Sequence, residues 1–468
     1  MLTYDFENVD CSLYEYIYKC IKSDIICGNL KAGEKLPSKR AFATNNGISI
    51  ITVQNAYEQL IGEGYIYAKP KKGYYVSEID GILLNGIDEK KKVSFDIDIP
   101  EKSNAKFYDI SDNGIDPENF PFSVWAKVSR DVLNEYEKEL MTTAPTGGVR
   151  ELREAIAQHL QSFRGMMVDP NQIIVGAGTE YLYGLIIQLL NNDRIYAIEN
   201  PGYTKLLRIY EQYDITCHLA EIDKYGVTVN GLLDSKADIA HICPNHHFPM
   251  GINMPASRRY EILSWALHSE DRYIIEDDYD SEFRAEGKPV PTLFSMDNNE
   301  KVIYINTFSK SLTPTIRISY MILPVPLVKL FYERLSFYSC TVSNFEQYIL
   351  ARFIKDGYFE KHINRMRRHY SKKRKEILQC IKDNIGDICK VIENDSGLHF
   401  IIEFDTKLTD DQIKKMLLDR NIKISAISDY YMNDNNMNKK QFIINYSNLV
   451  GDEINKALGI IREIVIAY

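Results

Sequence analysis

A lysine stands among hydroxyl-bearing side chains just beyond an apolar run with strand character. Residues 303–305 lead into Asn306-Thr307-Phe308-Ser309-Lys310, and Arg317 follows seven residues later. Amine chemistry on a carbonyl compound needs one positioned lysine whose charge can be lost when the bond forms. The Thr307 hydroxyl and the Arg317 guanidinium are suited to hold a phosphate beside it. The segment therefore indicates a carbonyl-binding lysine next to an anion site, or else a lysine that only extends to solvent.

An acid and a tyrosine lie upstream, at the end of a second predicted strand. Asp277 follows the strand at 273–276, and Tyr279 points to the same side two residues later. A carboxylate at this place can pair with a protonated pyridine nitrogen, and a tyrosine can donate to a phenolate oxygen of the same ring. A surface acid and a core tyrosine are the alternative interpretations.

A glycine-rich turn joins a third predicted strand to a helix. The strand at 173–175 is followed by Gly176-Ala177-Gly178-Thr179-Glu180 and by a helical pattern over 181–190. Such a turn presents backbone N–H groups and the helix dipole to an anion. Taken alone, it fits a phosphate site or a plain tight turn.

The elements that must position these residues alternate between strands and helices. Apolar runs at 173–175, 194–198, 273–276 and 302–305 are separated by helical patterns. This alternation is typical of an α/β fold with a largely parallel sheet. We therefore expect an α/β domain over residues 108–468, with a smaller α+β part at its C-terminal end.

The composition bounds the class of protein. With 468 residues the chain exceeds the usual size of a single core, so a small and a large domain are expected. Its 45% hydrophobic and 26% charged residues fit a globular protein, and the acidic start lacks a signal-peptide core. The cysteines are scattered without a C-x-x-C pair, which favours reduced thiols in the cytoplasm over a disulfide framework or a metal site. No apolar stretch is long enough to predict a membrane span.

Residues 1–77 contain three helical patterns followed by two strand-like runs. The first helix stops at Gly28, the second opens at Ser38, and the third is capped by Ser49 and ends at Gly64. The runs at 65–68 and 74–76 are joined by a basic loop over 69–73. A helix-turn-helix with a hairpin wing reads DNA, and the net charge of −9 does not oppose this because only a local positive patch is needed.

This segment resembles a GntR-type winged helix. The resemblance is carried by Leu13-Tyr14-Glu15, Gly33-Glu34-Lys35-Leu36-Pro37-Ser38-Lys39-Arg40, Thr52-Val53, Ala56-Tyr57-Glu58-Gln59-Leu60 and Glu63-Gly64-Tyr65-Ile66. It implies binding of double-stranded DNA through Ser38, Arg40, Ser49, Thr52, Gln54, Lys71 and Gly73. Each cation of this set, Arg40 or Lys71, taken singly also fits a solvated surface.

One position departs from that family. Its recognition helix usually begins Ser-Arg, whereas Ser49 is followed here by Ile50 and Ile51. Neither isoleucine can hydrogen-bond guanine or phosphate, which leaves an apolar contact to a thymine methyl group. Residues 78–107, beyond the wing, lose periodicity and are interpreted as a linker.

The remainder is similar to a fold-type I aminotransferase, and the whole chain resembles the MocR regulators, which join such a domain to a GntR-type winged helix. Motifs that carry the resemblance include Gly148-Val149-Arg150-Glu151-Leu152, Glu199-Asn200-Pro201-Gly202-Tyr203, Cys243-Pro244-Asn245-His246-His247-Phe248-Pro249 and Glu276-Asp277-Asp278-Tyr279. The resemblance implies pyridoxal 5'-phosphate as cofactor and Lys310 as the Schiff-base lysine. It further implies that the cofactor contacts Asp277, Tyr279, Tyr203, Gly178, Thr179, Thr307, Arg317 and His246.

Two departures limit what the resemblance implies about catalysis. Thr142 stands where many relatives have a tyrosine that reaches the partner subunit's phosphate. Ile443 stands where the family often has the arginine that grips an amino-acid carboxylate, with no arginine between Arg420 and Arg462. The His246-His247 pair fits a cofactor contact or a satisfied loop pair, and the basic run over 365–375 fits a solvated helix face better than a second DNA contact.

These observations predict a homodimeric, pyridoxal-phosphate-dependent transcription regulator. The missing carboxylate arginine suggests that the cofactor itself is the signal, so that the chain senses vitamin B6 status. Two alternatives remain open: an active aminotransferase whose winged helix is regulatory or vestigial, and a regulator that responds to an amino acid.

Overall fold

The computed structural model describes residues 2–6, 11–79, 108–111, 114, 117–283, 290–392, 397–433, 438–447, 449 and 451–467. The chain divides into two units, Met1–Ser103 and Asn104–Tyr468. Apart from residues 78 and 79, the linker predicted at 78–107 lies outside the described residues. Of the helices described, none has the length and apolar character that a bilayer crossing requires.

The N-terminal unit has the predicted winged-helix order. Its elements are α1 (Leu13–Ile26), α2 (Lys39–Asn46), α3 (Ile50–Gly62), β1 (Ile66–Lys69) and β2 (Gly73–Val76). The Ser38 hydroxyl caps α2 by accepting the Ala41 N–H at 3.1 Å. Gly47 ends that helix with a φ of +66°, a backbone conformation that glycine adopts without steric cost. Local capping therefore sets the turn between the two helices.

A small apolar core holds the three helices and the hairpin together. Ile17, Ile21, Phe42, Val53, Tyr57, Leu60, Ile66 and Val76 are buried in it. The Tyr57 hydroxyl donates to the carbonyl of Pro37 at 3.1 Å, which fixes the start of α2 against α3. The strands β1 and β2 pair antiparallel from Ile66 opposite Val76 to Lys69 opposite Gly73.

The C-terminal unit contains the remaining elements. The strands are β3 (Tyr108–Asp109), β4 (Ile173–Gly176), β5 (Tyr196–Asn200), β6 (Cys217–Asp223), β7 (Gly226–Val227), β8 (Ile239–Ile242), β9 (Tyr273–Asp277), β10 (Val302–Thr307), β11 (Ser319–Ile322), β12 (Cys389–Ile392), β13 (His399–Phe404), β14 (Ile422–Lys423), β15 (Ser425–Ala426) and β16 (Gln441–Asn445). The helices are α4 (Phe122–Glu135), α5 (Arg150–Arg164), α6 (Thr179–Leu190), α7 (Thr204–Gln212), α8 (Val229–Asp234), α9 (Ala256–Leu267), α10 (Leu293–Met296), α11 (Phe308–Ser311), α12 (Val325–Leu335), α13 (Asn344–Lys355), α14 (Tyr358–Ile385), α15 (Asp410–Leu418) and α16 (Gly451–Ile466).

The main sheet is eight-stranded, in the order β4-β11-β10-β9-β8-β5-β6-β7. The strands from β10 to β6 run parallel, whereas β11 is antiparallel to both β10 and β4. Because β11 is antiparallel to both neighbours, β4 runs in the same direction as β10. The predicted, mostly parallel sheet is confirmed, although the strand predicted at 194–198 begins two residues later, at Tyr196.

Helices cover both faces of this sheet. Consecutive strand residues point to opposite sides and so pack against different helices. Ile303 and Ile305 pack with α6 and α12, whereas Val302 packs with α9. A second, antiparallel sheet in the order β12-β13-β16-β15 forms the smaller C-terminal part, as expected.

The basic run over 365–375 lies on α14, and some of its cations bond to neighbouring segments of the unit. Arg365 donates to the carbonyl of Asn119, Arg367 to that of Glu282 and Lys373 to that of Ser447, at 2.6, 2.7 and 2.9 Å. Arg367 and Lys373 are only partly exposed and join α14 to neighbouring segments, whereas Arg365, Arg368, Lys372 and Lys375 are exposed, as the interpretation as a solvated helix face predicts.

Candidate functional site

The carboxyl ends of the parallel strands meet at one edge of the main sheet, and a cavity of about 270 Å³ opens there. Its lining comes from the segments at the ends of β4, β5, β8, β9 and β10. In open α/β sheets this edge is the usual place for a ligand. Among the predicted cofactor contacts, the cavity wall contains Thr179, Tyr203, Asp277, Tyr279, Thr307, Lys310 and Arg317.

Lys310 is placed by the short helix α11 directly after β10. The Thr307 hydroxyl caps that helix by accepting the Ser309 N–H at 3.1 Å, and it also accepts the Ser319 hydroxyl at 2.8 Å. The Ser309 hydroxyl oxygen, in contrast, is buried in the cavity wall without a hydrogen-bond partner among the described residues. Ser309 is absent from the predicted site residues, although its place next to Lys310 was a signal.

Asp277 ends strand β9 with its two carboxylate oxygens in different surroundings. Oδ2 accepts a 2.6 Å hydrogen bond from the Tyr183 hydroxyl, and His241 Nε2 lies 3.7 Å from the same oxygen. The Tyr210 hydroxyl lies in turn 2.7 Å from Nδ1 of His241. Oδ1 of Asp277 is buried and unpartnered within the described part of the chain. The protein thus holds one oxygen and leaves the other for a donor on a ligand, such as a protonated ring nitrogen.

Tyr279 is backed by a histidine and an acid. Its hydroxyl lies 3.0 Å from Nδ1 of His246, and the same nitrogen is 2.8 Å from Oδ2 of Asp280. Burial, followed by the charge of Asp280, raises the pKa of Tyr279 well above its ordinary value. The phenol therefore stays protonated and can donate a hydrogen bond. His246 is almost fully buried and stands behind Tyr279, where it orients the ring.

The glycine-rich turn and Arg317 meet at one corner of the cavity, where the sequence predicts an anion site. Gly178 has a φ of +93°, and a side chain at this position would collide with the Arg317 guanidinium. Arg317 itself has a φ of +49°, a conformation that side-chain-bearing residues rarely adopt and that recurs at functional sites. Glu180 lies 3.6 Å from Arg317 and also pairs with Lys205. An anionic ligand at this corner competes with Glu180 for Arg317.

An apolar cluster replaces the expected carboxylate grip. Ile443 is 2% exposed and packs with Ile401 and Ile427, and Phe248 packs against this cluster while it also lines the cavity. The cations among the described lining residues are Lys310 and Arg317. Lys205, a further cation nearby, is paired with Glu180.

The predicted DNA-contacting residues of the N-terminal unit differ in exposure and in the bonds they already make. Arg40 and Lys71 are exposed, and Lys71 sits in the wing turn with a φ of +60°. Ser38, Ser49 and Thr52 serve as helix caps or cap partners, and Gln54 donates to Glu58 at 2.8 Å. Gly73 opens β2 with a φ of +113°. Their contacts with DNA stay predictions.

Glu199 is a buried acid in the cavity wall. Its Oε2 accepts the Cys243 N–H at 2.8 Å and lies 3.7 Å from Nε2 of His247. Burial raises the pKa of Glu199 to about 8, and burial lowers the pKa of His247 to about 3. Both groups are therefore predominantly neutral at pH 7. Because the folded-state pKa of Glu199 exceeds its unfolded value of 4.5, its contribution to stability is full below pH 4.5 and declines as the pH rises towards 8.

We expect Glu199→Gln to remove this decline, because the amide cannot ionise but still accepts the Cys243 N–H. Between pH 5 and 8 the free energy of unfolding of the wild type should fall relative to the variant by about 1 kcal/mol per pH unit. Urea unfolding at four pH values measures this free energy, and Glu221→Gln, at an exposed position, is the control. Parallel pH profiles for wild type and Glu199→Gln would contradict the assignment.

A winged-helix unit in the same chain as this lysine-containing pocket defines a class of protein: a DNA-binding regulator built with a fold-type I aminotransferase-like domain. The model of the aminotransferase class I and II family matches residues 109–461, and that of the gntR family of bacterial regulatory proteins matches residues 13–76. The chain belongs to the MocR subfamily of GntR-type transcriptional regulators, and its N-terminal unit is the DNA-binding part.

Similar proteins agree with this assignment. The HTH-type regulator YdeL of Bacillus subtilis is 36% identical, with 90% of each chain covered. The pyridoxine biosynthesis regulator PdxR of Corynebacterium glutamicum is 30% identical over 86% of this chain and 85% of its own. The probable rhizopine catabolism regulator MocR of Rhizobium meliloti is 28% identical over 92% and 89%. The predicted family and regulatory function are therefore confirmed.

A solved structure shows the same fold for the C-terminal unit. Kynurenine aminotransferase of Pyrococcus horikoshii, crystallised with PMP, has a TM-score of 0.68 and 22% identity over 78% of this chain and 92% of its own. The predicted fold class, a fold-type I aminotransferase-like domain, is confirmed.

Proposed function

We propose that this chain is a cytoplasmic transcription regulator that senses pyridoxal phosphate through its aminotransferase-like unit. The observation that carries the proposal is the cavity, which offers partners for each polar part of the cofactor but an apolar cluster where an amino-acid carboxylate would be gripped. The name of the 30% identical relative PdxR, a regulator of pyridoxine biosynthesis, points in the same direction.

The residues of the cavity fit the cofactor. The unpartnered Oδ1 of Asp277 would accept a hydrogen bond from the pyridine nitrogen, and the Tyr279 hydroxyl would donate one to the phenolate oxygen. The cavity-lining Thr179, Thr307, Arg317 and unpartnered Ser309 hydroxyl would hold the phosphate, with Gly178 beside Arg317. Tyr203 would cover the ring, and His246 would support Tyr279 from behind.

Pyridoxal phosphate, when bound, supplies an electrophilic aldehyde on an electron-withdrawing ring. Lys310 would present its amine to this aldehyde, and condensation between them would release water. Asp277 would keep a proton on the pyridine nitrogen, because the Tyr183 hydroxyl holds its other oxygen in place. The apolar cluster around Ile443 leaves an incoming amino acid without a bidentate partner for its carboxylate, which disfavours turnover.

The regulator acts as a homodimer in this proposal, since cofactor sites of the fold are built between two subunits. Exposed apolar side chains support this: Met141 and Phe337 are each 74% exposed and Phe345 37%. Their segments are joined by hydrogen bonds from Thr146 to Ser336 and from Asn344 to Thr142. Large apolar side chains exposed on segments joined in this way favour an interaction site there.

The test is to titrate DNA binding with the cofactor. A DNA site is first selected from random sequences with the full-length protein, and binding is then measured with pyridoxal phosphate alone and with amino acids and ω-amino acids added. We expect the cofactor alone to change DNA affinity, by a factor that equals its preference for one DNA-binding state over the other. Light scattering should give the mass of two chains.

Two outcomes would overturn the proposal. If the cofactor alone leaves DNA affinity unchanged while one amino acid shifts both the affinity and the cofactor spectrum, the protein responds to that amino acid. If an amino donor is consumed catalytically and DNA affinity never changes, the unit is an aminotransferase. A cofactor-loaded monomer would refute the dimer.

A further inference from the structure

The hydroxyl groups at the start of α3 face the helix itself. Ser49 accepts the Thr52 N–H at 3.1 Å, and the two hydroxyl oxygens lie 2.9 Å apart. This pair satisfies an N–H group that the first turn of a helix otherwise leaves without a partner. Ser49 and Thr52 therefore cap the helix, and in this arrangement their hydroxyl groups are engaged with each other.

Two isoleucines occupy the exposed side of the same turn. Ile50 is 43% exposed and Ile51 is 71% exposed, whereas Val53, Ala56 and Leu60 of the same helix are fully buried in the core of the unit. The isoleucines thus lie outside the apolar face by which α3 packs on its neighbours. Their exposure has no structural benefit within this unit, since water contact with such side chains is unfavourable.

The position of these isoleucines is the one from which a helix-turn-helix reads bases. The N-terminal residues of its second helix contact base edges in the major groove, and Arg40 and Lys71, which are predicted to contact phosphates, are exposed in the same unit. An isoleucine neither donates nor accepts a hydrogen bond. The apolar group that B-DNA presents in the major groove is the C5-methyl group of thymine.

We propose that Ile51, together with Ile50, reads thymine by contact with its methyl group, so that each recognition helix selects a T·A pair. The inference rests on DNA binding by the N-terminal unit. It concerns base selection alone, because contacts with phosphates supply affinity that is independent of sequence.

Replacement of thymine by uracil tests the contact, since it removes only the methyl group. In the selected DNA site each thymine is replaced in turn by deoxyuridine, and full-length wild type and Ile51→Ala are compared by equilibrium binding. Burial of one methyl group corresponds to a factor of about four in affinity. We expect a loss of that size at one thymine per half-site for the wild type, and none at the same place for Ile51→Ala.

Three further variants sharpen the comparison. Ile50→Ala shows whether the neighbour shares the contact, and Ile51→Val, which keeps a branched apolar side chain, should retain most of the thymine preference. Ile61→Ala removes an isoleucine that is 37% exposed at the other end of α3, and it should behave like the wild type. All of these positions are at least partly exposed, so the fold is expected to persist in each variant.

Each failure has a distinct appearance. If uracil weakens binding equally for wild type, Ile51→Ala and Ile50→Ala, the isoleucines do not read the methyl group and the proposal is overturned. If the variants also lose sequence-independent binding at low salt, the isoleucines act on affinity in general, which equally overturns it. If the wild type shows no salt-dependent binding to any DNA, the DNA-binding assignment itself has failed.

Discussion

Replacement of Lys310 by alanine is expected to abolish covalent attachment of pyridoxal phosphate. Lys310 lines the cavity together with Ser309 and Arg317. Without its amine the bond to the aldehyde cannot form, although the phosphate contacts remain. The yellow colour of the cofactor complex should be lost, and borohydride should trap no adduct at residue 310.

A lysine near the same cavity provides the control. Lys205 pairs with Glu180 at the mouth, and Lys205→Ala removes a cation there without removing the predicted attachment point. This variant should keep both the colour and the trapped adduct. If the wild type gives no adduct at Lys310 when loaded with cofactor, or if Lys310→Ala keeps one within the cavity, the assignment of this residue is wrong.

The second large effect is expected on DNA binding when two exposed cations of the N-terminal unit are removed. Arg40 lies on α2 and Lys71 in the wing turn. Each phosphate contact that is lost should make the slope of log affinity against log salt shallower by about 0.9. A hydrogen bond to a charged group contributes about 1.5–3 kcal/mol, so each change should weaken binding at least roughly ten-fold at low salt.

The variants are chosen to leave the fold intact. Arg40→Ala keeps a helical residue, and Lys71→Asn suits the positive φ at residue 71, because asparagine tolerates that conformation. Lys19→Ala removes an exposed lysine of α1 that pairs with Glu15, and it should have little effect. Affinity is measured by fluorescence anisotropy at several salt concentrations. If wild type and the double variant Arg40→Ala, Lys71→Asn give identical affinities and salt slopes, DNA binds to another surface.

Much of the fold was predictable because its signals are local. The caps at Ser38 and Ser49 marked the starts of the two helices of the helix-turn-helix, since capping depends on a few neighbouring residues. The apolar runs that became β4, β9 and β10 identified the α/β unit for a similar reason. The position of β11, antiparallel between β10 and β4, depends on pairing between distant segments and was not predicted.

The same division runs through the candidate site. The sequence alone determined that Lys310, Asp277 and Tyr279 are the residues of interest, since each belongs to a short motif at a strand end. Only the tertiary structure decided that Tyr183 holds one oxygen of Asp277 and that the other has no hydrogen-bond partner among the described residues. It likewise decided that Thr307 caps a helix while Ser309 faces the cavity, and that Ile51 projects to solvent. Partners and exposure depend on side chains that folding brings together from distant positions, and a sequence read along its length contains no distances between them.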